Sequence, residues 1–144
     1  MVNRFNRSEI EKHSPKSRTS ALGRLGEDIA CEYLIDKGYK IIERNFRRPW
    51  GELDIIARAP DKTLVFVEVK TMSQNEGGIQ PEDQVTKAKL RKTQKAASLY
   101  AGHYPEKISG EKGWRIDLIA IAIKDTHDLT DYKKDCDIRY YENI

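Results

Sequence analysis

Residues 51–71 read GELDIIARAPDKTLVFVEVKT, two runs rich in Val, Ile, Leu and Phe on either side of the turn-forming cluster Ala59-Pro60-Asp61-Lys62. That pattern predicts two β-strands joined as a hairpin. Side chains two apart on a strand share a face, so Glu52, Asp54 and Ile56 are expected on one side and Leu53, Ile55 and Ala57 on the other. The same rule groups Phe66, Glu68 and Lys70 opposite Val65, Val67 and Val69. In an antiparallel pair the start of the first strand lies beside the end of the second, and Asp54, Glu68 and Lys70 are expected to converge there.

Acids inside a core sheet are costly unless something compensates them. On the residues alone, two readings stay open. In one, Lys70 neutralises Glu68 or Asp54, or the charged face is simply wetted, as one face of an antiparallel sheet often is. In the other, the acids form a hard-cation site. Mg²⁺ (or Mn²⁺) takes oxygens from one or two carboxylates and keeps waters for a substrate phosphate. A lysine two residues from one ligand is then close enough to position a water or to stabilise charge on a phosphate.

Gly51-Glu52-Leu53-Asp54, a hairpin and Val67-Glu68-Val69-Lys70 together resemble the D…(D/E)-x-K signature of the PD-(D/E)XK nuclease superfamily. The chain is more closely similar to the YraN family, small uncharacterised bacterial proteins that resemble archaeal Holliday junction resolvases. Gly23-Arg24-Leu25-Gly26-Glu27 matches the G-x-x-G-E helix of that family, and Arg115-Ile116-Asp117 matches its R-x-D strand. The likeness runs from Ser20 to Lys124 in the same order.

This resemblance implies a single α/β domain with an αβββαβ restriction-endonuclease-like core, a mixed central sheet flanked by helices. Its implied activity is a Mg²⁺-dependent endonuclease that hydrolyses DNA phosphodiester bonds, structure-selective for branched or junction DNA. The alternative is a non-catalytic nucleic-acid-binding protein that retains the nuclease fold. Asp54 and Glu68 would hold the metal, Lys70 would serve the water nucleophile, and Glu27 would complete or extend the metal shell. Resolvases of this type act as dimers, which implies a homodimer, although no residue pattern here secures one.

The remaining sequence bounds this reading. The 144 residues suffice for one domain with a sizeable core. Charged residues make up 34% but net charge is only +3, so a nucleic-acid partner has to be argued from local clusters. Cys31 and Cys136 fit no metal or redox spacing, and with no apolar run near the ~18 residues of a membrane span, a cytoplasmic protein is expected. Residues 1–18 carry Arg4, Arg7, Lys12, Lys16 and Arg18 against Glu9 and Glu11, the composition of a flexible basic tail; residues 19–144 form the expected nuclease-like domain.

From Thr19 or Ser20, Leu22, Leu25, Ile29 and Tyr33 recur at helical spacing until Gly38 supplies a stop. Gly23 and Gly26 cost such a helix about 1 kcal/mol each, which points to close approach of another backbone or a ligand. Glu27 falls at the border of the buried face, where it either stays in water or leans toward the sheet. Tyr39–Phe46 reads as the first strand, with Arg47 and Arg48 following beside Phe46 and Trp50. These arginines suit phosphate contact or a solvated turn equally. Met72–Asp83 has loop composition.

The second helix is expected from Pro81 or Glu82 to Ala101. Between Gln84 and Tyr100 it has no acid but carries Lys87, Lys89, Arg91, Lys92 and Lys95, which repel one another and ask for an anionic partner. Helical phase aligns Lys89 with Val85, Ala96 and Tyr100, so it either snorkels outward or reaches the carboxylates. The YraN pattern also places a lysine here, which implies phosphate or scissile-site contact, with Gln84 as a further candidate. Trp114–Lys124 reads as an interior strand and Asp137–Tyr141 as an edge strand. Asp117 is either half of an ordering pair with Arg115 or an extra metal ligand.

Overall fold

The first apolar stripe folds as helix α1 (Arg18–Asp36). The structure is a computed structural model that describes residues 18–74, 80–124 and 131–144. The tail expected over 1–18 therefore lies outside the described residues, except that Arg18 is already helical. Gly38 ends α1 with a φ of 88°, a region glycine enters without strain. Its N–H donates to the Ile35 carbonyl at 3.0 Å and the Tyr39 N–H to that of Leu34 at 2.9 Å, the paired bonds of a Schellman ending.

Strands β1 (Lys40–Arg48), β2 (Gly51–Arg58) and β3 (Leu64–Ser73) form an antiparallel meander. At the β2–β3 turn the Asp61 carboxylate accepts the Thr63 N–H at 3.0 Å, the local bond that suits Asp to turns. β4 (Trp114–Ile123) pairs parallel to β3, and β5 (Cys136–Tyr141) pairs antiparallel to β4. The result is one five-stranded mixed sheet in the order β1-β2-β3-β4-β5. A parallel pair needs a long crossover, and this one carries helix α2 (Lys87–His103). A short helix α3 (Tyr132–Asp135) precedes β5. The expected αβββαβ core is thus present, with β5 added at its edge.

The two long helices cover opposite faces. Ile29, Ala30 and Leu34 of α1 pack with Val65, Val67 and Val69 of β3 and Ile119, Ile121 and Ile123 of β4. Ala96, Ala97 and Tyr100 of α2 pack with Ile56, Leu64 and Phe66. Burial on both sides is why β3 and β4 read as nearly unbroken apolar runs.

Helix α2 starts later than the sequence suggests. Pro81–Gln84 is a separate 3₁₀ turn, Val85 is extended, and Thr86 caps α2 by accepting the Lys89 N–H on Oγ1 at 3.1 Å. The Gln84 side chain and residues 75–79 lie outside the described residues. Asp117 is fully buried and accepts from Arg115 Nε at 3.0 Å, from the Asn143 N–H at 2.9 Å and from the Tyr140 hydroxyl. Of its two readings, the ordering pair is the one the packing carries.

Gly26 marks where α1 touches the sheet. A Cβ there would lie 1.7 Å from Thr71 Oγ1 and 2.7 Å from Thr71 Cβ, so only hydrogen fits. Gly26→Ala is accordingly expected to lower the urea midpoint. It gains about 1 kcal/mol of helix propensity but suffers overpacking of about 1–3 kcal/mol or more. Thr71→Ala in the same chain should recover part of the loss, because it removes the nearest clashing atom. An unchanged or raised midpoint in Gly26→Ala would refute the tight contact.

Candidate active site

The β2–β3 ladder ends at the pair Ile55↔Val67. One step further Asp54 would face Glu68 across it. There Asp54 Oδ2 accepts the Val69 N–H at 3.0 Å, so a side-chain oxygen replaces a ladder carbonyl. The simple alternation of side chains fails at the same point. Ile55 packs in the α1 core, whereas Leu53 packs in the α2 core with Phe46, its partner on β1. Leu53 and Ile55 therefore do not share a face, contrary to the two-residue rule. Asn45 lies between the pairs Arg44↔Ile55 and Phe46↔Leu53, opposite Asp54, with a φ of 51°. A left-handed residue inside an extended strand reverses the facing of the residues after it.

The acids meet at this break. The Asp54 and Glu68 carboxyls lie close enough to act on each other. Lys89 Nζ lies 3.6 Å from Glu68 Oε1, with the lysine side chain 38% exposed and the glutamate 5%. Lys70, half-buried, acts electrostatically on both acids. Glu27 is within electrostatic reach of Asp54, and the Asn45 side chain lies near enough to favour its charged form. Its Oε2 is buried and, among the described residues, has no hydrogen-bond partner.

Burial comes first in raising the affinity of these groups for protons. Glu68 is pushed up from an ordinary 4.5 to about 7 by desolvation and then by the Asp54 charge, with Lys89 and Lys70 opposing. Glu27 also rises to about 7, through burial and then Asp54. Asp54 is raised by burial, against the Val69 N–H and the two lysines. Because Glu27 and Glu68 bind protons more tightly folded than unfolded, their contribution to stability is full below about 4.5 and is lost as pH rises through about 7. Metal-free protein should therefore melt at lower temperature at pH 8 than at pH 5. At pH 8, Mn²⁺ at ~100 times its Kd should restore about 2.7 kcal/mol, or roughly 5–10 °C. Differential scanning calorimetry with and without EDTA measures both; a melting point that rises from pH 5 to pH 8 without metal would contradict the burial of these acids.

The donor set is all carboxylate oxygen, the chemistry a small hard cation would require. Asp54 and Glu68 crowd one another, and near them Glu27 carries a buried oxygen with no partner among the described residues. Among the described residues, no three His, Cys, Asp or Glu side chains are grouped to enclose an ion on their own. The set is thus an open one, with Asp54 and Glu68 as a pair and Glu27 beyond them. Mg²⁺ commonly takes such sites, one or two carboxylates with water completing the shell.

Around this cluster Lys87, Arg91, Lys92 and Lys95 are exposed on α2, and Arg47 and Arg48 are exposed near the end of β1. The Arg48 guanidinium lies 4.4 Å over the Phe46 ring. Glu52 is exposed and takes no part in the acid cluster. Asn45 carries no motif in the sequence; only its tolerance of positive φ marks it, and that is weak without a register.

A mixed sheet between two helices, with paired acids and a lysine where the central ladder ends, defines a protein of the restriction-endonuclease-like fold class. A family model described as "Uncharacterised protein family UPF0102" matches residues 26–121, a span that holds Glu27, Asp54, Glu68, Lys70 and Lys89. The chain is 35% identical over 145 aligned residues to a UPF0102 protein of Fervidobacterium nodosum, covering 100% of this chain and 96% of that one. It is 44% identical over 109 residues to one from Chlorobium phaeobacteroides, covering 76% of this chain and 80% of the relative. The protein belongs to the UPF0102 family, in keeping with the YraN resemblance. No helix among the described residues is long and apolar enough to cross a membrane.

Proposed function

We propose that this protein is a Mg²⁺- or Mn²⁺-dependent endonuclease that hydrolyses DNA phosphodiester bonds and selects branched or junction DNA. The observation that supports this reading is the meeting of Asp54, Glu68, Lys70 and Lys89 at a broken ladder, beside the partnerless oxygen of Glu27. Asp54 and Glu68 would hold the metal, and Glu27 would support it. When bound, the metal polarises the phosphate and offsets charge developing on it.

Lys70 orients the attacking water and offsets the same charge from the protein side. The water oxygen bonds to phosphorus as one ester P–O bond breaks; a proton from the water ends on the leaving oxygen. The products are a phosphate monoester and a free hydroxyl. Lys89, half-exposed at the rim, exchanges Glu68 for a substrate phosphate. Lys87, Arg91 and Lys92, with Arg47 and Arg48, follow the DNA backbone through phosphate contacts that do not read sequence. Two cuts on a symmetric junction call for a second copy of the chain.

Labelled linear, flapped and four-way junction DNA, incubated with Mg²⁺ or with EDTA beside an Asp54→Ala control, test this function. Cleavage of branched DNA by the wild type in Mg²⁺ alone is the expected result. Equal cutting by Asp54→Ala would mean a contaminating nuclease. Binding without cutting, unchanged by EDTA, would replace this reading with that of a non-catalytic DNA-binding protein.

A further inference from the structure

We infer that Asn45 is the positioning residue of the acid cluster: its left-handed backbone delivers Asp54 to the broken ladder, and its side-chain amide holds Glu27. This rests on the metal-site reading above. Three observations on different atoms meet at Asn45. Its φ is 51°, the one positive value in β1, a strand whose ladder with β2 also shifts register between Ile41 and Glu43. Its register position is opposite Asp54, the residue at which facing reverses between Ile55 and Leu53. Its side chain is near enough to act on Glu27, the carboxyl whose Oε2 lacks a partner among the described residues.

The backbone and the side chain do separate work. With regular alternation through position 45, Phe46 and Leu53 would face α1 and Asp54 would face α2 beside Ile56. The left-handed turn of Asn45 instead leaves Phe46 and Leu53 in the α2 core, which frees the Asp54 carboxyl to reach the Val69 N–H between strands. From there Asp54 is felt both by Glu68 and by Glu27, which belongs to α1. The amide, for its part, lies beside the Glu27 carboxyl and fixes it for a cation. Asparagine is the residue that does both, since it tolerates positive φ far better than other side chains of its size and still carries a donor.

Two substitutions split these roles. Asn45→Gly keeps the left-handed backbone and deletes the amide; Asn45→Ala deletes the amide and penalises the backbone as well. In metal-free protein, Val69 amide hydrogen exchange should be unchanged in Asn45→Gly and clearly faster in Asn45→Ala. Calorimetric titration with Mn²⁺ should show affinity falling about tenfold in Asn45→Gly, the usual loss when a group that orients a ligand is removed. In a Glu27→Gln background, Asn45→Gly should add nothing further.

Should Asn45→Ala fail to fold, the Asn45→Gly and Glu27→Gln cycle still decides. Wild-type Mn²⁺ affinity in Asn45→Gly, or wild-type Val69 protection in a folded Asn45→Ala, overturns the inference. A wild type that binds no Mn²⁺ sinks the metal site instead, and Val69 exchange then judges Asn45 alone.

Discussion

Asp54→Asn is expected to bind Mn²⁺ at least about a hundredfold more weakly than the wild type, and to melt at higher temperature without metal at pH 8. The two effects have one cause. The amide oxygen of Asn can still accept the Val69 N–H that Asp54 now accepts at 3.0 Å, so the break in the ladder keeps its hydrogen bond. The negative charge is gone, however, and with it the repulsion that helps raise Glu68 and Glu27 to about 7. Removing a group that orients a metal ligand typically costs 10–100-fold in affinity, and a direct ligand should cost at least the upper end of that, about 100-fold. The site would thus become more stable and less useful, a trade expected where charges are crowded for a ligand. Isothermal titration with Mn²⁺ beside thermal melts in EDTA gives both numbers. Undiminished Mn²⁺ affinity would remove Asp54 from the metal site, while a lowered metal-free melting point would show that the charge is compensated already.

How far each residue is legible in the sequence depends on which rule it obeys. The convergence of Asp54, Glu68 and Lys70 is a consequence of hairpin geometry and needs only the position of the turn at Ala59–Lys62. Helical phase against Ala96 and Tyr100 places Lys89. That phase is unaffected by where the helix begins, so expecting the start at Pro81 does no harm to it. The start itself is ambiguous because a proline before acids looks the same at the head of a 3₁₀ turn as at the head of an α-helix. Gly26 announces a close approach, but that its neighbour is Thr71 is a tertiary fact.

The side-chain facing around Asp54 is beyond the two-residue rule, which assumes every residue in a strand is extended. Asn45 breaks that assumption with one dihedral angle. The consequence is larger than a local kink. An acid confined to one face would meet only Glu68; an acid turned into the gap between strands also meets Glu27 from the helix on the other face. The saturation of Asp117 is likewise invisible in the sequence, because two of its donors, Tyr140 and Asn143, come from the far end of the chain.

Lys70→Met should reduce single-turnover cleavage of branched DNA by about 10² or more, as when one electrostatic stabiliser of a transition state is lost, while leaving DNA affinity nearly unchanged. Methionine keeps the length and apolar body of the stem, so packing beside Val69 and Thr71 is little disturbed. What disappears is a positive charge that acts on Asp54 and Glu68 together. A cation close to Asp54 and Glu68 would compete with a metal held there, so its removal should hold Mn²⁺ affinity steady or tighten it. A structural lysine would behave differently: its loss would loosen metal, DNA and fold together. Lys89→Met offers the comparison, because Lys89 pairs with Glu68 at 3.6 Å but sits at the rim. It should tighten Mn²⁺ binding in the absence of DNA and weaken DNA binding, with a smaller loss in the chemical step. Single-turnover rates at saturating Mn²⁺, taken with Mn²⁺ and DNA titrations on both variants, separate these outcomes. Full cleavage by Lys70→Met would strip that lysine of its part in the reaction and pass the role to Lys89.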